Sequence, residues 1–329
     1  MQFTRYFSRN RNIDIPCSKS GIFEIDDATI EVFKKRNEPL SKSSLDQSLM
    51  SSYKNRSAIL EDVIVTKNGR LYKNSQLIGE IVGCKCDEIK DTRKLDPNIY
   101  NNVISISGIW TYGIWHFPCE AFCGLMKHKI TEDMKVHVHT KTPYVMYWLS
   151  LLGIKEQQVI DGNIRVKKLL IPELGAPGQP YPEQIDWLHN IIKKSIDIYP
   201  DNLLIVIRRR NKRPILNHDE VYKRCHELAI NKGLKIYVHD DDNLPSIKTQ
   251  HSLFKCAKIL VAPHGGGNVN LLAMDENTTF VEIIDRRFSN ICYMRLAYHR
   301  NINYYSVSSV DGNANIERLE NVFKKISNK

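Results

Sequence analysis

The residues best placed to do chemistry lie in three short stretches. In Val261-Ala262-Pro263-His264-Gly265-Gly266-Gly267-Asn268-Val269-Asn270, three glycines stand between an apolar run and a helical pattern. Glycines at such a junction let a bulky anion approach the main chain. Free N–H groups and the positive end of the following helix then favour negative charge. His264 precedes the glycines and can donate to such an anion or cap the turn, while Asn270 is expected to pin the loop. The second stretch, Ile207-Arg208-Arg209-Arg210-Asn211-Lys212-Arg213, follows another apolar run. Guanidinium groups offer paired, charge-assisted hydrogen bonds to phosphate. Arg208 and Arg213 are the first candidates and Arg209 the next, against the alternative of a solvated charge run. In the third stretch His116 and Glu120 stand four apart on one face of an expected helix. One could take a proton while the other tunes it. Glu120 is the first candidate for the base and His116 the second, with a purely structural His–Glu bond as the alternative.

Metal chemistry has weaker support. His239-Asp240-Asp241-Asp242 offers adjacent carboxylates, but Leu244-Pro245 follow at once, and a solvated loop is favoured. His137 and His139 alternate on a strand and share a face, which suits packing. Cys84 and Cys86, and Cys119 and Cys123 near His116 and His128, lack the repeated two-residue spacing of a structural zinc site. No metal site is expected.

The elements that must hold these residues follow from periodicity. Residues 1–58 read as irregular and polar, with one helical candidate at 27–36. Strands are expected over 63–65 and 70–72, joined by Lys67-Asn68-Gly69 as a hairpin turn. A helix over 112–129, a strand over 134–139, a helix from Pro143 to about 152 and a strand over 164–171 come next. The proline- and glycine-rich stretch 172–182 is the best linker candidate. Beyond it the alternation is cleaner. Strands 203–207, 234–238, 258–262, 279–284 and 303–306 are separated by helices, and an amphipathic helix over about 314–326 closes the chain.

A chain of 329 residues accommodates one large domain or two ordinary ones. With 42% hydrophobic and 26% charged residues the composition is globular. The net charge of +10 admits a nucleic acid, an anionic membrane surface or an anionic small substrate. The charge is spread, with one dense cluster at 208–213, which favours solubility over a DNA-binding arm. No run reaches the roughly 18 apolar residues of a spanning helix. Met1-Gln2-Phe3-Thr4-Arg5-Tyr6 carries charge at once, so no export signal is expected. The eight cysteines are then expected as reduced thiols in the cytoplasm.

Four segments together resemble glycosyltransferase family 61. The glycine stretch is similar to its Pro-His-Gly-Ala-Gly-Leu-x-Asn run, departing at Gly266 and at Asn268-Val269. Residues 207–220 look like its arginine-rich strand end, Val281-Glu282-Ile283 like its Val-x-Glu motif, and residues 112–120 like its aromatic and histidine motif. The resemblance covers roughly residues 60–308. It implies an α/β fold of two Rossmann-like lobes facing a cleft (GT-B type). The expected division is 1–58 as an irregular part of the first lobe and 59–180 as an acceptor-binding lobe. A donor-binding lobe over 181–312 and a helix over 313–329 packing back across the cleft complete it. The implied activity is inverting transfer of a sugar, xylose or N-acetylglucosamine, from a UDP-sugar to a glycan or glycoprotein acceptor. The donor would meet Arg208, Arg209, Arg213, His264, Gly265, Gly266, Gly267 and Asn270. Glu282 resembles the acid that holds the ribose in two-lobed transferases. Neither cofactor nor metal is expected, no nucleic acid is an expected partner, and peripheral membrane contact is left open. The alternatives are a non-catalytic binding protein of the same fold and a basic nucleic-acid binder. A nicotinamide dehydrogenase is weaker, because Asn270 stands where the glycine fingerprint needs its third glycine.

Overall fold

Residues 203–207 are all apolar, and the chain accommodates them as an interior strand of a parallel sheet, buried on both faces. The computed structural model describes residues 5–6, 21–34, 53–81, 94–197, 202–285 and 290–328. They fall into two units, Met1–Asp14 with Ser51–Leu188 and Ile15–Met50 with His189–Lys329. In chain order the first strands are β1 (Arg5–Tyr6), β2 (Phe23–Glu24), β3 (Ser57–Val65), β4 (Arg70–Lys73) and β5 (Gln76–Ile81). Then come β6 (Leu95–Ser105), β7 (Lys135–Val138), β8 (Val159–Asp161), β9 (Asn163–Pro172) and β10 (Leu203–Arg208). The last are β11 (Lys235–Asp240), β12 (Ala257–Pro263), β13 (Thr279–Asp285), β14 (Asn303–Val310) and β15 (Asn313–Ala314). The α-helices are α1 (Asp27–Lys34), α2 (Pro143–Ser150), α3 (Pro182–Ser195), α4 (His218–Lys232), α5 (Ile247–Lys255), α6 (Cys292–His299) and α7 (Ile316–Ser327).

The sheet of the first unit runs β1-β5-β4-β3-β9-β6-β7-β8. Its β3, β4 and β5 form an antiparallel meander, β9 runs antiparallel to β3, and β6, β7 and β8 continue in parallel. It is therefore a mixed sheet rather than the Rossmann-like alternation expected. The hairpin at Asn68-Gly69 forms as read, with Gly69 at φ +80°. Strand β6 had no sequence signal, because residues 95–102 carry Asp96, Pro97, Asn98, Asn101 and Asn102 and only Val103 and Ile104 bury apolar side chains. The expected helix over 112–129 is also corrected. Two turns lead into a π-helical turn, Phe117–Ala121, and a 3-10 turn, Phe122–Leu125. Pro118 stands in the first turn of the π-helical stretch, and every residue from Phe117 to Leu125 is buried. Helix α2 starts as read, with Pro143 first and the Thr142 side chain accepting from Val145 N–H.

The sheet of the second unit runs β11-β10-β12-β13-β14, all parallel, with β15 antiparallel at the edge and β2 parallel to β14. From β10 the chain steps outward to β11, then returns to the other side of β10 as β12. That reversal makes the carboxyl ends of β10 and β12 the switch point where open α/β sheets bind ligands. Segment 21–34 belongs to this unit, not to the first, where the sequence reading put it. Tyr304 N–H donates to Ile22 carbonyl oxygen at 2.8 Å, and Asp26 Oδ2 accepts from Ser308 N–H at 2.7 Å. Helix α7 packs on α4 and β14 of its own unit. Its Leu319, Val322, Phe323 and Ile326 join Val221, Cys225 and Leu228 in one core. Burial of each such side chain contributes about 1.5–3 kcal/mol. Among the described residues no helix is long and apolar enough to cross a membrane.

Candidate active site

Arg208 ends β10 with its side chain one-third exposed, 3.7 Å from Asp219 Oδ1. Arg209 turns the other way. Its Nη1 donates to the carbonyl oxygen of His264 at 3.0 Å, tying the end of β10 to the end of β12. Gly265 is extended, so its backbone suits any residue; glycine is needed there for space, because a Cβ would collide with the Arg209 guanidinium. Arg213 sits in the left-handed region at φ +57°, unusual for a residue with a side chain. Burial first, and then the like charge of Arg213, pull the Arg209 pKa below its ordinary value. Asp241, 3.8 Å from Arg209 Nε, offsets part of that like charge, and an anion at the loop would offset more. Arg210 is differently employed: it pairs with Asp240 and Asp242.

The glycine loop rests on a buried relay. His264 Nδ1 donates to Glu282 Oε1 at 2.7 Å, and Glu282 Oε2 accepts from the Tyr304 hydroxyl at 2.8 Å. Glu282 is fully buried. Its expected contact with a ribose is therefore corrected: with both oxygens engaged inside the core, it positions His264. The ring of Tyr293 lies 5.0 Å from that of His264. Gly266–Leu272 is a 3-10 turn rather than an α-helix, so the expected helix dipole is short. Gly267 lets this turn close on Ile207, whose Cδ1 would be 3.0 Å from a Cβ. Asn270 pins the loop as read, donating from Nδ2 to Gly267 carbonyl oxygen at 3.1 Å, and Asn268 does likewise to Pro263 at 3.1 Å.

In the first unit, Glu120 is buried and held from three sides. Its Oε1 accepts from Trp115 Nε1–H and from Gly178 N–H, each at 3.0 Å, and its Oε2 meets His116 Nδ1 at 2.9 Å. The His116 side chain is 30% exposed. The exposed member of the pair is thus the histidine, the second of the two candidate bases read from sequence. The expected linker turns out to clamp this pair. Gly175 N–H donates to Glu120 carbonyl oxygen at 2.8 Å, and a Cβ on Gly175 would lie 2.8 Å from Cys123 Sγ and 2.9 Å from Glu120 Cα.

Residues with metal-binding potential are occupied otherwise. Arg210 holds the Asp240 carboxyl down at about 2, chiefly through their hydrogen bond, and Arg209 Nε lies 3.8 Å from Asp241. His137 is buried between Ser105 Oγ and the Gly162 carbonyl oxygen, both at 2.9 Å. Cys119 and Cys123 are buried and form no disulfide, and Cys84 and Cys86 lie outside the described residues. Among the described residues no three His, Cys, Asp or Glu side chains gather as a metal site. Tyr293, Tyr304, Gly178 and the role of Trp115 escaped the sequence reading. Only Trp115 carried a signal, its place beside His116.

The matched family model is described as Glycosyltransferase 61 and covers residues 114–281. That span includes the His116–Glu120 pair, the arginines and the glycine loop. No curated protein matches the chain.

Proposed function

The chain belongs to glycosyltransferase family 61 and is a glycosyltransferase; from that premise we propose that it transfers a sugar, with inversion, from a UDP-sugar to a hydroxyl of a glycan or protein acceptor. Xylose or N-acetylglucosamine is the proposed sugar, by family resemblance. The donor goes to the second unit and the acceptor to the first, the division of labour of a GT-B enzyme.

The observation that carries this reading is the bond from Arg209 to the glycine loop at the edge where the strand order reverses, within reach of the Arg213 charge. A pyrophosphate there offsets the positive charge of both arginines in the ground state. It is neutralised further as negative charge develops on the departing nucleoside diphosphate. Guanidinium groups supply that charge without a metal. His116, not Glu120, is the proposed base. Its Nε2 takes the proton of the acceptor hydroxyl while Glu120 fixes the ring through Nδ1. The acceptor oxygen then bonds to the anomeric carbon opposite the leaving group. The bond from that carbon to the phosphate oxygen breaks, its electron pair leaving with UDP.

Thermal unfolding with UDP, UDP-xylose and UDP-N-acetylglucosamine, in EDTA and then in manganese, tests this. A ligand at a hundredfold excess over its dissociation constant stabilises by about 2.7 kcal/mol. The expected stabilisation persists in EDTA and is lost in Arg213→Gly, which keeps the left-handed backbone. Stabilisation that vanishes in EDTA and returns with manganese overturns the metal-free step. No response to any uridine nucleotide, beside salt-dependent binding of polynucleotide, overturns the donor assignment.

A further inference from the structure

We propose that Trp110 and Tyr112 form a stacking platform for a pyranose ring of the acceptor, so that the acceptor recognised is a carbohydrate. This rests on the transferase reading above. Both rings are large and apolar, yet Trp110 is 39% and Tyr112 42% exposed, their centroids 6.2 Å apart. Trp110 also has φ +69°. A bulky residue in the left-handed region is strained, and such strain concentrates at ligand sites. Full burial does not explain a tryptophan there, since more than a third of the residue stays exposed.

The platform is rigid. Gly113 N–H donates to Trp110 carbonyl oxygen at 2.8 Å, and Thr111 Oγ1 donates to Gly108 carbonyl oxygen at 2.8 Å. One side of Tyr112 is backed by His139, with ring centroids 4.7 Å apart, and His139 Nδ1 is held at 3.0 Å by the Lys67 carbonyl oxygen. Gly113 joins the platform to the proposed base. A Cβ there would lie 3.2 Å from the Trp110 carbonyl oxygen and 3.1 Å from His116 Cδ2, the ring carbon bonded to Nε2. The segment that carries the two rings therefore adjoins His116 through Gly113.

The axial C–H face of a pyranose is apolar and packs flat on an aromatic ring, while its equatorial hydroxyls point sideways. A stacked sugar therefore offers its hydroxyls to a neighbouring base. Two rings are also too small a patch for a stable protein interface, which buries upwards of about 1,200 Å².

Two measurements on the full chain test the proposal. Tryptophan emission is titrated with xylobiose, chitobiose and mannobiose. A saturable change with at least one sugar is expected in the wild type and lost in Trp110→Ala. No change with any of them overturns the platform, whatever the enzyme's activity. Transfer to the responding sugar is then compared with hydrolysis of the UDP-sugar by water. Trp110→Ala and Tyr112→Ala should raise the acceptor KM roughly tenfold, leaving kcat and donor hydrolysis within about twofold. An unchanged acceptor KM overturns the platform. A wild type that turns over no UDP-sugar overturns the transferase reading while leaving the fluorescence result standing. Trp110→Gly guards against misfolding. It suits φ +69° and should unfold at or above the wild-type temperature, yet bind sugar no better than Trp110→Ala.

Discussion

The same arrangement occurs in each unit: a histidine whose Nδ1 is tied to a buried glutamate, which is itself held by another donor. In both, the glutamate fixes the ring, and in the first unit that ring is the proposed base. His116→Gln should therefore lower transfer by roughly 10²–10⁴-fold with donor affinity unchanged, read by product formation and calorimetry. Glu120→Ala should differ in kind. It strands Trp115 Nε1–H and Gly178 N–H, and an unsatisfied buried donor costs about 1–3 kcal/mol, so urea unfolding should show the loss before any assay does. In the second unit, Tyr304→Phe keeps the ring against Phe23, 4.8 Å away, and removes only the hydroxyl on Glu282. Its expected effects are a loss of about 1–3 kcal/mol in urea unfolding, because Glu282 Oε2 is left buried without its donor, and a fall in UDP affinity of roughly fivefold. Unchanged UDP affinity would show that His264 keeps its place without the relay.

Among the elements, two glycines in irregular segments separate packing from ligand binding. A Cβ on Gly175 meets the backbone of Cys119 and Glu120, which cannot step aside. Gly175→Ala should cost about 1–3 kcal/mol in urea unfolding and disturb the His116–Glu120 pair with it. On Gly265 the same Cβ meets only the end of the Arg209 side chain, and the backbone is extended. Gly265→Ala should leave unfolding within about 1 kcal/mol of wild type, because a flexible side chain can move. It should still weaken UDP binding, since the displaced guanidinium is the one proposed to meet the phosphates. Equal losses of stability from the two substitutions would contradict this distinction.

For the whole molecule, acid is the informative variable. Burial pushes the imidazoles of His137 and His239 down to about 4 and that of His251 to about 3. In the unfolded chain they titrate near 6.5. Between about pH 6.5 and 4 the unfolded state thus binds more protons, and stability rises with pH. It is fully present above pH 6.5 and lost as pH falls toward 4. At pH 5 each histidine accounts for roughly 2 kcal/mol of that loss. The urea midpoint should fall steeply from pH 7 to 5. His239→Phe should flatten the fall, because Nδ1 has no partner among the described residues and the ring already packs against Phe254. A midpoint indifferent to pH over this range would mean that these rings are not buried as described.

What the sequence determined by itself is whatever depends on neighbours along the chain. The Asn68-Gly69 turn, Pro143 as a helix start, the helix near Asp27, the parallel strands from β10 to β14 and the loop with His264, Gly265, Gly266 and Gly267 were all legible. Turn chemistry, caps and apolar runs are local properties. Tertiary structure decided whatever depends on a distant partner. Glu282 reads as a ribose ligand until Tyr304, from another strand, closes its second oxygen. Residues 172–182 read as a linker until their glycines are seen against Glu120. Segment 21–34 has no allegiance until Asn303, Ser306 and Ser308 supply its hydrogen bonds. The reason is the same in each case. Residue type fixes what a group can bond to, but its burial, and hence its role, is set by chain brought in from far away in sequence.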